Sequence, residues 1–104
     1  MIHEIIIEDK EDKQVLVTLY DRIYIEQAAE LRTRLLSFIE RGHANFVIDF
    51  NNVDSIDCSG LGTLVAILKK ARHQGGGVSI KGLHGVSKDL FVLTRLDKVF
   101  DIQQ

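Results

Sequence analysis

The chain has 104 residues, 45% of them apolar and 27% charged, with a formal net charge of −2. That is enough chain for one hydrophobic core and too apolar for a disordered segment. A nearly balanced charge gives no electrostatic reason to expect nucleic acid, which calls for a concentrated basic face.

Ile5, Ile6 and Ile7 form a β-branched run that predicts a strand over 4–8. Residues 8–13 are all charged and read as a turn. Val15, Val17 and Leu19 then alternate with Leu16, Thr18 and Tyr20, which predicts a second strand pairing antiparallel with the first. Ile23, Tyr24 and Ile25 follow as a short strand or an extended lead-in. The period changes at about Glu26. Ala28, Leu31, Leu35 and Phe38 recur at helical spacing up to Arg41, and Gly42 is placed to stop the helix.

Residues 46–50 are a nearly continuous apolar strand of the kind buried in a sheet, with Asn51 and Asn52 as a turn after it. A second helix is predicted from Ser59 to His73, its apolar face made by Leu61, Leu64, Val65, Leu68 and Ala71. Residues 74–77 end it, and residues 78–80 form a short strand. Ser87 is placed to cap a third helix that buries Leu90, Phe91, Leu93 and Leu96. Residues 99–102 read as a last edge strand. The class is therefore α/β: a mixed sheet of four to five strands, a βαβ crossover over 46–80, and three helices packed mainly on one face. With no proline, repeat or linker-like stretch, residues 1–104 read as one domain.

Several chemistries lack their residues. His3, His43, His73 and His84 are scattered without partners at metal-ligand spacing, so no metal or other cofactor is expected. Gly75, Gly76 and Gly77 follow a helix instead of preceding one, and Gly60-Leu61-Gly62 lacks the rest of a nucleotide loop. Lys69, Lys70, Arg72 and His73 cluster where a helix C-terminus favours positive charge. The longest apolar run, 64–68, is far below the ~20 residues that span a bilayer. A start without signal-peptide character and a single cysteine point to the cytoplasm.

The stretch Asp57-Cys58-Ser59-Gly60-Leu61-Gly62 leads into the second helix. A hydroxyl and a thiol stand there beside unpaired backbone N–H groups, where the helix dipole favours negative charge. Ser59 reads first as a cap, and as a site where phosphate could be accommodated. Cys58 would need a positioned base to act as a nucleophile, and no histidine is near it in sequence, so no enzymatic role is expected.

Three segments in order carry a family likeness: 46–50 with 53–57, the turn 58–64, and 93–100. Together they make the chain resemble STAS domains, in particular the bacterial anti-sigma factor antagonists. The resemblance implies a protein-binding domain that captures an anti-sigma factor and so frees a sigma factor. That partner is also a serine kinase using its own ATP, phosphorylation of the domain ends binding, and a serine phosphatase restores it.

The resemblance also implies a partner-binding surface of Tyr24, Asp54, Ser55, Asp57, Cys58, Ser59, Gly60 and Leu61. The family's acceptor hydroxyl follows the aspartate directly, and here that position is Cys58. Ser59 is then either a shifted phosphorylation site, or the domain is unphosphorylated and Cys58 leaves it constitutive or redox-sensitive. A second departure stands at Asp21 and Tyr24, where the family commonly has a glycine and an acidic residue. The alternative is a STAS-like constitutive subunit of a signalling scaffold or a lipid-transport complex.

Overall fold

The computed structural model describes residues 5–9 and 14–103. In chain order they form β1 (Ile5–Asp9), β2 (Gln14–Ile23), α1 (Ile25–Glu40), β3 (Asn45–Ile56), α2 (Cys58–His73), β4 (Gly77–Lys81), α3 (Gly85–Leu93), a 3-10 turn (Leu96–Lys98) and β5 (Asp101–Gln103). The strands lie side by side in sequence order. β1 is antiparallel to β2, and β2, β3, β4 and β5 are mutually parallel. This is the anticipated mixed sheet, with the β3–α2–β4 crossover and three helices.

Alternation along the strands decides where the core lies. Val15 pairs with Phe46 and Phe46 with Val78, Val17 with Ile48 and Ile48 with Ile80, so each buried row runs across the sheet. The next row, Leu16, Val47 and Ser79, faces the other way and is half-buried. The helices gather on the first face. α1 contributes Ala28, Leu31, Leu35 and Ile39, α2 contributes Leu61, Leu64, Ile67, Leu68 and Ala71, and α3 contributes Phe91. Parallel strands joined through helices on one face place all three helix N-termini at the C-terminal edge of the sheet.

Several expectations need correction. Asn51 and Asn52 do not turn the chain, because β3 runs on to Ile56 and residues 52–56 pair with Tyr20, Asp21, Arg22 and Ile23. Two register shifts against β2, each with one extra residue in β3, absorb the irregularity, and the Asp49 carboxylate accepts from both the backbone and the side-chain amide of Asn51, each at 2.8 Å. Of residues 23–25, Ile23 ends β2 and Ile25 opens α1, with Tyr24 as the extended joint. α2 starts at Cys58, not Ser59, and Gly77 belongs to β4.

The last third departs most. Ser87 does not cap α3; His84 holds that position, and Ser87 lies in the first turn, 1% exposed, with no partner for its hydroxyl among the described residues. Leu93 is 80% exposed and Leu96 falls in the 3-10 turn. α3 is too short to bury a full stripe. Thr94 ends it, its hydroxyl donating to the Leu90 carbonyl at 2.7 Å, and Arg95 turns the chain away at φ 63°. The last strand occupies 101–103 instead of 99–102. The start of the first strand at Glu4, the charged segment 10–13 and His3 lie outside the described residues.

Phe91 therefore carries most of the attachment of α3. Its ring meets Phe50 and Phe100 edge-on, each with centroids 5.8 Å apart. Two substitutions one helical turn apart should move stability in opposite directions. Phe91→Ala should cost about 3–5 kcal/mol in a urea melt, through lost burial and aromatic contact. Ser87→Ala should raise stability by about 1 kcal/mol, since it removes a buried hydroxyl left without a hydrogen bond.

Candidate functional site

The site is built around a close backbone approach. A Cβ placed on Gly60 would lie 2.6 Å from the Ile23 carbonyl oxygen and 2.6 Å from Cγ1 of Ile56. Only glycine lets the first turn of α2 settle against the ends of both β2 and β3. The same Ile23 carbonyl accepts the Asp57 N–H at 3.3 Å. The chain thus leaves β3, is tied to β2, and enters the helix within one residue.

Asp57 caps that helix. Its backbone is extended, its carboxylate accepts from the Gly60 N–H at 3.0 Å, and its carbonyl accepts from the Leu61 N–H at 3.0 Å. Aspartate is as good an N-cap as serine, and its charge also complements the helix dipole. Ser59 is therefore not the cap. It sits at the second helical position, half-buried, while Cys58 at the first position is exposed as a free thiol. Asp54 stands exposed beside this turn, so two carboxylates border the helix start.

Tyr24 and Ser55 join the turn to the head of α1. The Tyr24 hydroxyl and Ser55 Oγ lie 2.7 Å apart and share a hydrogen bond. The Tyr24 N–H donates to the Gln27 side chain at 3.0 Å, which holds the residue at the helix start. The Arg22 guanidinium lies 5.4 Å from the centre of the Tyr24 ring, within cation–π range. Asp21 has φ 60°, a left-handed conformation that favours glycine and that aspartate tolerates better than most residues.

Tyr24, Ser55, Asp57, Cys58 and Ser59 are brought together, with Asp54 at their border. Gly60 and Leu61 are buried and offer a partner no surface, so they shape the site without lining it. Ile25, 69% exposed at the first position of α1 and next to Tyr24, was not singled out from sequence. The available signal was a large apolar residue at a helix start. His84 is engaged elsewhere, its Nε2 3.1 Å from the Asn51 carbonyl oxygen. Among the described residues no group of histidine, cysteine and carboxylate side chains could hold a metal ion, and no helix is long and apolar enough to cross a membrane.

Comparison with known proteins agrees with this architecture. The family model of the STAS domain matches residues 5–104. The anti-sigma-B factor antagonist of Bacillus subtilis (strain 168) is 30% identical over 91 residues, covering 88% of this chain and 83% of its own. The crystal structure of an anti-sigma factor antagonist from Mycobacterium paratuberculosis superposes with a TM-score of 0.84 at 22% identity, over 96% of this chain and 84% of that one. The Bacillus cell fate determinant SpoIIAA, solved in its phosphorylated form, gives 0.80 at 14% identity, over 97% and 92% of the two chains. With a capped turn between a buried strand and an amphipathic helix at its centre, this chain belongs to the STAS domain family.

Proposed function

We propose that the surface of Tyr24, Asp54, Ser55, Asp57, Cys58 and Ser59 binds an anti-sigma factor, and that the domain acts by binding and not by catalysis. The observation that carries this reading is the exposed start of α2, capped by Asp57 and tied to Tyr24 through Ser55. A relative named as an anti-sigma factor antagonist supports the class of partner. Residues 1–104 act as one unit, and such a partner would put the domain in the cytoplasm.

The finer reading is a switch. The partner carries serine kinase activity and its own ATP, Ser59 takes the phosphate, and a serine phosphatase removes it. A phosphoryl group would add nearly two negative charges beside Asp54 and Asp57. The helix N-terminus would accommodate that charge within the domain, while the altered surface would repel a partner shaped for the neutral one. That SpoIIAA is known in a phosphorylated form supports phosphate on this fold.

Cys58 favours a second reading. The exposed first position of α2 carries a thiol, which a serine kinase does not phosphorylate, and the hydroxyl one residue on is rotated by about 100° and half-buried. On this reading the domain binds constitutively, as a subunit of a signalling scaffold or a lipid-transport complex.

Phosphorylation mapping separates these readings, and two further measurements test the interface and the cap they share. Wild type and Cys58→Ser are incubated with ATP and the candidate anti-sigma kinase, and phosphorylation is mapped by mass spectrometry. Phosphate on Ser59 of wild type supports the switch, whereas phosphate only on Cys58→Ser supports the constitutive binder. Ser59→Asp should weaken anti-sigma factor binding at least tenfold, about 1.4 kcal/mol, with an unchanged circular dichroism spectrum; equal affinity would remove the turn from the interface. In thermal melts, Asp57→Ala should lose about 1 kcal/mol as a lost cap, and Ser59→Ala should stay within about 0.5 kcal/mol of wild type.

A further inference from the structure

Arg22 and Ile25 flank Tyr24, and neither supports the core. Arg22 is exposed near the end of β2, opposite Ser55 on β3, and forms no ion pair among the described residues. Its guanidinium stands over the Tyr24 ring instead, 5.4 Å from the centre. Ile25 is 69% exposed at the first position of α1, outside the face that buries Ala28, Leu31, Leu35 and Ile39. Arg22, Tyr24, Ile25, Glu26 and Gln27 line a cleft of about 270 Å3. That lies below the roughly 300–1,000 Å3 of small-molecule pockets and suits a side chain inserted from another protein.

Stacking on an aromatic ring holds a planar guanidinium in place and leaves its N–H groups to a carboxylate, so less freedom is lost when one binds. Such charge-assisted bonds are among the strong ones. Arginine and tyrosine are also over-represented at the energetic centres of interfaces. Glu26 shares the cleft, and the dipole at the start of α1 accounts for its charge. Asp54 and Asp57 stand at the other end of the surface, past the Tyr24–Ser55 hydrogen bond. The two ends therefore differ in charge, which fixes the orientation of a partner.

We propose, resting on the anti-sigma factor reading above, that the partner surface extends onto the head of α1. Arg22 receives a carboxylate of the anti-sigma factor, and an apolar side chain beside that carboxylate covers Ile25. The bound segment is thus acidic and apolar at neighbouring positions. Tyr24 joins this contact to the Cys58 turn. Its hydroxyl reaches Ser55, its N–H is held by Gln27, and its ring carries Arg22.

The test uses the whole chain and the candidate anti-sigma kinase of the phosphorylation assay. Arg22→Glu and Ile25→Asp should each lose at least tenfold in affinity with unchanged circular dichroism spectra, and Arg22→Gln should flatten the salt dependence of binding. Benzoylphenylalanine in place of Ile25 should cross-link, on illumination, a partner segment that contains an acidic residue. Reversing that residue to lysine should restore binding to Arg22→Glu. Ser59→Asp serves as the control for the turn. Full affinity of Arg22→Glu or Ile25→Asp beside a weakened Ser59→Asp, a cross-linked segment without an acidic residue, or no rescue by the reversed charge would overturn the extension and leave the turn surface standing. No binding by wild type would overturn both.

Discussion

The close approach of Gly60 to the Ile23 carbonyl is the constraint on which the rest of the site depends. It brings three chain segments to one point: the end of β2, the end of β3 and the first turn of α2. Because β2 leads into α1 through Tyr24, the head of that helix is drawn in as well. The Tyr24–Ser55 hydrogen bond then joins residues 31 positions apart in sequence. A side chain at position 60 would push α2 off the sheet edge. It would also strain the Asp57 N–H bond to Ile23, so the cap and the surface would fail together.

The same constraint explains why β3 outruns its neighbour. β4 pairs with β3 only over residues 45–49, whereas β2 follows it to Ile56. The extra length carries the turn beyond the body of the sheet. Along that length β3 carries one extra residue at each of two register shifts against β2, and Asp21, between them, adopts a positive φ. A glycine would meet that demand at lower conformational cost in the folded state; an aspartate meets it because its short polar side chain tolerates the left-handed region. The positive φ of Asp21 and the length of β3 belong to one geometry.

What could be read from sequence follows from how local the determinants are. Val15, Val17 and Leu19 alternate, and Ala28, Leu31 and Leu35 recur at helical spacing, because each pattern answers to a single buried face; at the end of that repeat Ile39 is buried and Phe38 only half-buried. The extension of β3 was hidden. Asn51 and Asn52 have local turn preferences, and only pairing with β2, more than thirty residues earlier, overrides them. The cap was hidden by redundancy, since Asp57 and Ser59 are both good N-cap residues. The choice between them rests on Gly60 having to face Ile23. α3 was misread because Ser87 and Leu93 are locally plausible as cap and core. Yet Phe91 alone fills the space beside Phe50 and Phe100, and the αL residue Arg95 then redirects the chain.

The shape of this turn and the chemistry it presents are separable. The shape of the turn is held by backbone contacts, by the Asp57 cap and by the Tyr24–Ser55 bond, none of which involves the side chain of Cys58 or Ser59. A hydroxyl, a thiol or a phosphate at the helix start changes what the surface presents, with the fold beneath it intact. A change of side chain at position 58 or 59 therefore leaves the turn in place, because the interactions that build it lie beneath those side chains.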